Sequence, residues 1–300
     1  MNQLQENILK LKKEKHALIL AHYYQRLEVQ DIADAVCDSF EMAKRARDAR
    51  EQIIVICGVR FMGESAKILA PDKTVLLPAS DAGCPLADMV TPEDVQALRQ
   101  VNPGAAVMCY VNSSAAVKAE CDVCCTSSSA LRIARGLAEK EIIFVPDSNL
   151  GRYVAEQVPE KTFHVHNGFC PTHHRVTEEE VALAKKQHPQ AKLAAHPECR
   201  EEVLKHADFI GSTSEIIQFV QTDDAKEFLI GTEDGIIDRL RRELPEKTIL
   251  PVTSGFVCSN MKKTHLEDVL HVLETGANEV RMTEAEIAAA KKPLDRMVSM

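Results

Sequence analysis

The chain has 300 residues, 45% of them hydrophobic, enough for about two conventional domains and too apolar for global disorder. Its 36 Lys and Arg stand against 45 Asp and Glu, a net charge of −9 with no local basic patch, which argues against a nucleic-acid partner. No apolar run reaches the roughly eighteen residues of a membrane span, so a soluble, cytoplasmic protein is expected, its ten cysteines serving thiolate chemistry or metal ligation more than disulfides.

In chain order, the first candidate element is the amphipathic stretch 1–15, where a signal peptide would be continuously apolar. An apolar strand then ends in Leu20-Ala-His22-Tyr-Tyr24, followed by Ala33-Asp34, Ser39, the strand Ile53–Ile56 and the pair Lys73-Thr74. The same succession returns, 22 aligning with 110 and then with 196. It reads Tyr110-Val-Asn112, Cys121-Asp122, Ser127, Glu141–Phe144 and Lys161-Thr162, and again His196-Pro-Glu198, Ala207-Asp208, Thr213, Glu227–Ile230 and Lys247-Thr248. Several registers holding together without gaps indicate a triplication.

The third copy shows the element pattern plainly. Helices are expected over 178–187, 200–206, 215–220 and 236–244, alternating with strands over 192–195, 208–210, 227–230 and 248–252. Short apolar strands separated by amphipathic helices predict a parallel sheet covered on both faces. The fold class is therefore α/β: three pseudo-threefold-related α/β/α sandwich domains, each with a short parallel four-stranded sheet, around a central site. The expected boundaries are 1–86, 87–173 and 174–264. The tail 265–300 carries helices over 266–273 and 284–292, with Pro293 as a stop or kink, and packs back on the first repeat. Ligands of parallel sheets bind beyond the carboxyl ends of the strands, so three such edges can share one site.

After the fourth strand of each copy a loop carries one cysteine: Cys84, Cys170 and Cys258, preceded by small residues at Gly83, Gly168 and Gly255 that would let the backbone approach a bulky partner. Around a pseudo-threefold axis these thiols converge. A buried apolar role, a zinc site completed by His173 or His174, and an iron-sulfur cluster held by three cysteines are the alternatives, the last favoured modestly. The run Cys121, Cys124, Cys125 has no counterpart in the other copies and, with Cys37, Cys57, Cys109 and Cys199, is read as structural.

The ends of the first strands carry His22 and Tyr24, Tyr110 and Asn112, and His196 and Glu198, polar groups that are costly on apolar strands unless used. Ser39, Ser127 and Thr213 precede helices, where N-capping is the ordinary role and anion binding the functional one. Lys262 and Lys263 beside Cys258 offer anion steering. No Walker A sequence or GxGxxG fingerprint is present.

These motifs together, with Asp38-Ser39, Cys125-Thr-Ser127, Gly211-Ser-Thr213, Gly231-Thr-Glu233 and Asn260-Met-Lys-Lys263, resemble those of quinolinate synthase, the NadA family of NAD biosynthesis. The resemblance covers nearly the whole chain. It implies a 4Fe-4S cluster bound by Cys84, Cys170 and Cys258, acting as a Lewis acid in the condensation of iminoaspartate with dihydroxyacetone phosphate to quinolinate, phosphate and water. It further implies proton transfer by Glu198 and Tyr24, placement of the intermediate by Tyr110 and Asn112, and binding of carboxylates and phosphate by His22, His196, Ser39, Ser127 and Thr213. The implied partners are the two substrates, with a functional link to an aspartate-oxidising enzyme. Ser129, where the pattern has Asn, and Arg60, where an acidic residue is expected, depart from it.

Overall fold

Residues 2–300 are described by the computed structural model; Met1 of the amphipathic stretch lies outside them. Strands β1 (Ala17–His22), β2 (Ala35–Cys37), β3 (Ile53–Cys57) and β4 (Thr74–Leu76) form the first sheet. The second contains β5 (Ala106–Tyr110), β6 (Val123–Cys125), β7 (Glu141–Val145) and β8 (Thr162–Val165), and the third β9 (Lys192–Ala195), β10 (Phe209–Ile210), β11 (Glu227–Gly231) and β12 (Thr248–Pro251). All three sheets share one spatial order, second, first, third, fourth strand, and every pairing is parallel. The three α/β units of the sequence reading are thus present. Central strands are buried on both faces, as in β5, where all five residues are buried, which is why their apolar content is continuous rather than alternating.

The recurring sequence markers have structural causes. Asp34, Asp122 and Asp208 each accept the backbone N–H of Ile19, Val107 or Leu193 at 2.8, 2.7 and 2.8 Å, while their own N–H groups bond back to the same residues' carbonyls. Lys12, Arg99 and Lys185, from the helix preceding each first strand, pair with these carboxylates at 2.8, 2.8 and 3.4 Å. Each aspartate therefore fixes the register at which the edge strand joins the first strand. The Lys-Thr pairs act similarly. Lys161 donates to the carbonyls of Leu137 and Glu139, and Lys247 to those of Val220 and Asp223, while the Thr74, Thr162 and Thr248 N–H groups start the fourth strands. Replacing Asp122 by Ala orphans the Val107 N–H and should lower unfolding stability by about 1–3 kcal/mol. Urea denaturation checks this; an unchanged midpoint would remove the aspartate as a register device.

Two expected element boundaries differ. The helix over 200–206 is confined to Glu201–Leu204, and that over 215–220 starts earlier, at Thr213, because Ser212 and Glu215 form a capping box. The expected stop at Pro293 does not occur. The last helix runs Glu284–Ser299 through it: the proline removes the N–H that would reach Ala289, but Ala290, Leu294 and Met297 are fully buried and hold the two halves in line. The tail also divides. Helix Leu266–Thr275 packs beside Gln3–Glu14 on the first sheet, whereas Glu284–Ser299 lies on β6 and helix Ala115–Ala119 of the second unit as well as on helix Arg60–Leu69 of the first.

One hydrophobic core includes Ile54 of the first sheet, Val107 of the second and Phe228 of the third, so the units are fused through their inner faces. Outer cores under helix Gln3–Glu14 and around Leu193 complete the first and third sandwiches.

Candidate active site

The carboxyl ends of the three sheets surround one cavity of about 430 Å³. His22, Tyr24 and Ser39 line it from the first unit, Tyr110, Asn112 and Ser127 from the second, and His196, Glu198 and Thr213 from the third, together with Cys84, Cys170 and Cys258. These three thiols are partly open to it, whereas the other seven cysteines are buried in the protein.

His22 and His196 sit in equivalent turns. The N–H of Tyr24 donates to Nδ1 of His22 at 3.2 Å, and the N–H of Glu198 to Nδ1 of His196 at 3.3 Å. Each ring is thereby held as the tautomer with its proton on Nε2. Burial lowers the two pKa values to about 3 and about 4, so both rings are neutral donors. Nδ1 of His196 lies 3.6 Å from Glu198 Oε2, beyond hydrogen-bond range.

Glu198 is almost wholly buried. Burial raises its pKa, but the His173 ring against Oε2 and the neighbouring Tyr110 hydroxyl outweigh burial and hold the carboxylate ionised, at about 2. His173 Nδ1 approaches Oε2 at 2.8 Å, while Oε1 has no protein partner. From His173 a hydrogen-bonded chain continues: Nε2 to Thr232 Oγ1 at 2.9 Å, and Thr232 Oγ1 to the Tyr24 hydroxyl at 2.8 Å, which also meets Thr213 Oγ1 at 2.8 Å. Burial and the Glu198 charge push the phenols of Tyr24 and Tyr110 upward, so both are protonated.

The cysteine loops are anchored from behind. Asp147 Oδ2 accepts the Cys170 N–H and Glu233 Oε1 the Cys258 N–H, both at 3.1 Å; in the first unit Val59 takes the corresponding place, and the backbone N–H of Arg60 holds the loop by donating to Ala82. Of the glycines before the cysteines, only Gly168 meets backbone closely, a Cβ there lying 2.6 Å from the Pro146 carbonyl; Gly83 faces open space and Gly255 the Arg175 side chain.

N-capping falls one residue earlier than expected in two units: Asp38 and Ser212 cap the helices, leaving Ser39 and Thr213 at the first turn, while Ser127 lies in a turn closed by Thr126 and Ser129. All three hydroxyls are free of the capping role. Lys262 and Lys263 are not available for steering either, since Lys262 pairs with Glu233 at 3.0 Å and donates to the Tyr24 carbonyl, and Lys263 pairs with Asp81 at 2.8 Å. Of the two histidines considered as zinc ligands, His173 lines the cavity, whereas His174 stacks on Phe169. Thr232 and Glu233 stand in the quoted Gly231-Thr-Glu233 motif without a role read for them, and Asp147 was not singled out, its signal being the place after the third strand that it shares with Glu233.

Residues 6–299 match the family described as Quinolinate synthetase A protein. The chain belongs to that family. It is 51% identical to the quinolinate synthase of Methanoregula boonei over 99% of this chain and 98% of the relative, and 48% identical to that of Caldicellulosiruptor saccharolyticus over 100% and 99%. The quinolinate synthase of Clostridioides difficile is 48% identical over 98% and 95%. Neither departure from the quinolinate synthetase pattern reaches the cavity wall: Arg60 bonds the Ser80 carbonyl from the surface, and Ser129 closes its own turn with Thr126. The CxxCC run lies off the wall as well, in β6 and just before it. Cys124→Ser should therefore leave the metal content of anaerobically purified protein unchanged; loss of metal from a folded variant would bring Cys124 into the ligand set.

Proposed function

We propose that this protein is a quinolinate synthase, condensing iminoaspartate with dihydroxyacetone phosphate and closing the pyridine ring with release of phosphate and water. The observation that carries this reading is the convergence of three partly open thiols, one from each unit, on a cavity that also holds an ionised, half-unpartnered glutamate. Three thiol donors, one from each unit, suit an iron-sulfur cluster; Cys170, His173 and Glu198, close enough together to hold a metal ion, are the competing zinc reading. Cys84, Cys170 and Cys258 would hold a 4Fe-4S cluster, which when bound supplies an iron without a protein ligand to polarise a substrate oxygen or nitrogen.

The remaining steps fall to the chain's own groups. His22 and His196 present Nε2–H donors to substrate carboxylates, and the hydroxyls of Ser39, Ser127 and Thr213 receive carboxylate and phosphate oxygens beside helix starts. Tyr110 and Asn112 orient the intermediate from the second unit. Glu198, through Oε1, takes a proton from substrate carbon or nitrogen. The protonated Tyr24 hydroxyl, hydrogen-bonded to Thr213 and Thr232, can give its proton to a departing oxygen and recover one from solvent after product release. An enzyme that oxidises aspartate would supply the first substrate.

Anaerobically purified protein, given freshly generated iminoaspartate and dihydroxyacetone phosphate, should form quinolinate and contain four irons with acid-labile sulfide. Zinc without sulfide, or no quinolinate from iron-loaded protein, would overturn the proposal.

A further inference from the structure

The turn after the third strand of the second unit does more than anchor Cys170. Asp147 caps helix Ser148–Gln157 by accepting the Leu150 N–H at 2.8 Å, which brings Asn149 to the seam with the third unit. Asn149 is buried, and its amide nitrogen spends both protons across that seam. One goes to the backbone carbonyl of Glu198 at 2.9 Å and the other to Nδ1 of His174 at 3.1 Å. Because the Glu198 carbonyl can only accept, the amide is fixed with its nitrogen toward it, and His174 offers a lone pair at Nδ1 and carries its proton on Nε2.

These two acceptors belong to groups that must themselves meet. His174 follows His173 in helix Pro171–His174, and His173 Nδ1 approaches Glu198 Oε2 at 2.8 Å. The Phe169 ring, its centre 4.3 Å from that of His174, stacks on the imidazole and holds its plane. The N–H of Glu198 donates to His196 Nδ1, while among the described residues Asn149 is the only donor to its carbonyl. Without that donor the Glu198 backbone is held at one end only. The third unit uses the equivalent place in the same way: at Gly235, which stands after Glu233 as Asn149 stands after Asp147, an added Cβ would lie 2.6 Å from the Tyr23 carbonyl and 2.7 Å from the Tyr24 Cα. These two turns thus set the polar first-strand ends of neighbouring units.

We infer that Asn149 is a positioning residue, clamping the Glu198 backbone to the helix that carries His173. The clamp keeps Oε2 against His173 and leaves Oε1 without a protein partner, although Asn149 itself is not among the residues that line the cavity. Displacing a reacting group by about 1 Å can cost on the order of 100-fold in rate. The role in turnover rests on Glu198 being the base of the quinolinate synthase reaction; the clamp does not.

Two variants of anaerobically purified holoenzyme test it: Asn149→Leu, similar in size and without donors, and Asn149→Asp, which turns a carboxylate toward the Glu198 carbonyl. Both should keep iron and sulfide, lower kcat roughly 10- to 100-fold and leave KM for iminoaspartate and dihydroxyacetone phosphate within about twofold, because only the base is displaced. Added to Glu198→Gln, either substitution should cost less than about twofold more, since it acts through Glu198, whereas a general loosening of the fold would multiply the two losses. In a crystal structure of Asn149→Leu the hydrogen bond between His173 and Glu198 should be open. That bond intact would overturn the clamp. A kcat within about twofold of the parent, a loss confined to KM, or multiplying losses would overturn the positioning role. Iron missing from both variants would overturn it too, because Asn149 would then be supporting the Cys170 loop. No quinolinate from the parent, or a Glu198→Gln enzyme as active as the parent, would fault the functional reading and leave the clamp to the crystal structure.

Discussion

Glu198→Gln should lower single-turnover quinolinate formation by roughly 10²- to 10⁴-fold while leaving iron, sulfide and the visible spectrum unchanged. The amide keeps the shape and still accepts from His173, but it cannot take a proton at the position of Oε1, the oxygen that no protein group occupies. Because His173 and Tyr110 hold the Glu198 carboxylate well below the ordinary range against the effect of burial, it is already ionised throughout neutral and mildly acidic pH, and any acidic limb in the rate profile of the parent belongs to another group. A rate within a few-fold of the parent would exclude Glu198 as the base and pass that role to Tyr24 or a histidine.

Cys84→Ala, Cys170→Ala and Cys258→Ala should each abolish both bound iron-sulfur and activity. The sheets present one partly open thiol apiece, and no buried cysteine lines the cavity to replace a missing one. Thiolate ligands supply most of the binding free energy of such a centre, so two are not expected to hold it. Full iron and sulfide in any one of the three variants would remove that residue as a ligand. The backbone anchors predict a graded companion effect: weakening Asp147 or Glu233 loosens the loop of Cys170 or Cys258 and leaves that of Cys84, which lacks a carboxylate, as it was.

Much of this architecture was legible because the chain repeats its own constraints. Asp34, Asp122 and Asp208 recur since each must satisfy a strand N–H at the same register, and the Lys-Thr pairs recur since each threonine opens a fourth strand, Lys161 and Lys247 also closing a helix end. Such local demands depend on residues close in sequence, so identity and spacing disclose them. Pro293 was misread for the complementary reason: its local preference to end a helix was overridden by the burial of Ala290, Leu294 and Met297 against distant elements.

The sequence by itself determined three α/β units and one cysteine and one polar strand end per unit, because periodicity and repetition are properties of the chain. It could not disclose that Thr232 and His173, one from a turn after β11 and the other from a short helix after β8, bridge Tyr24 to Glu198, or that Lys262 is spent on Glu233. Those relations join residues tens to hundreds of positions apart, and the charge or tautomer each side chain adopts is set by burial and by the partners that the packing of three sheets brings within hydrogen-bond distance. Only the tertiary structure decides them.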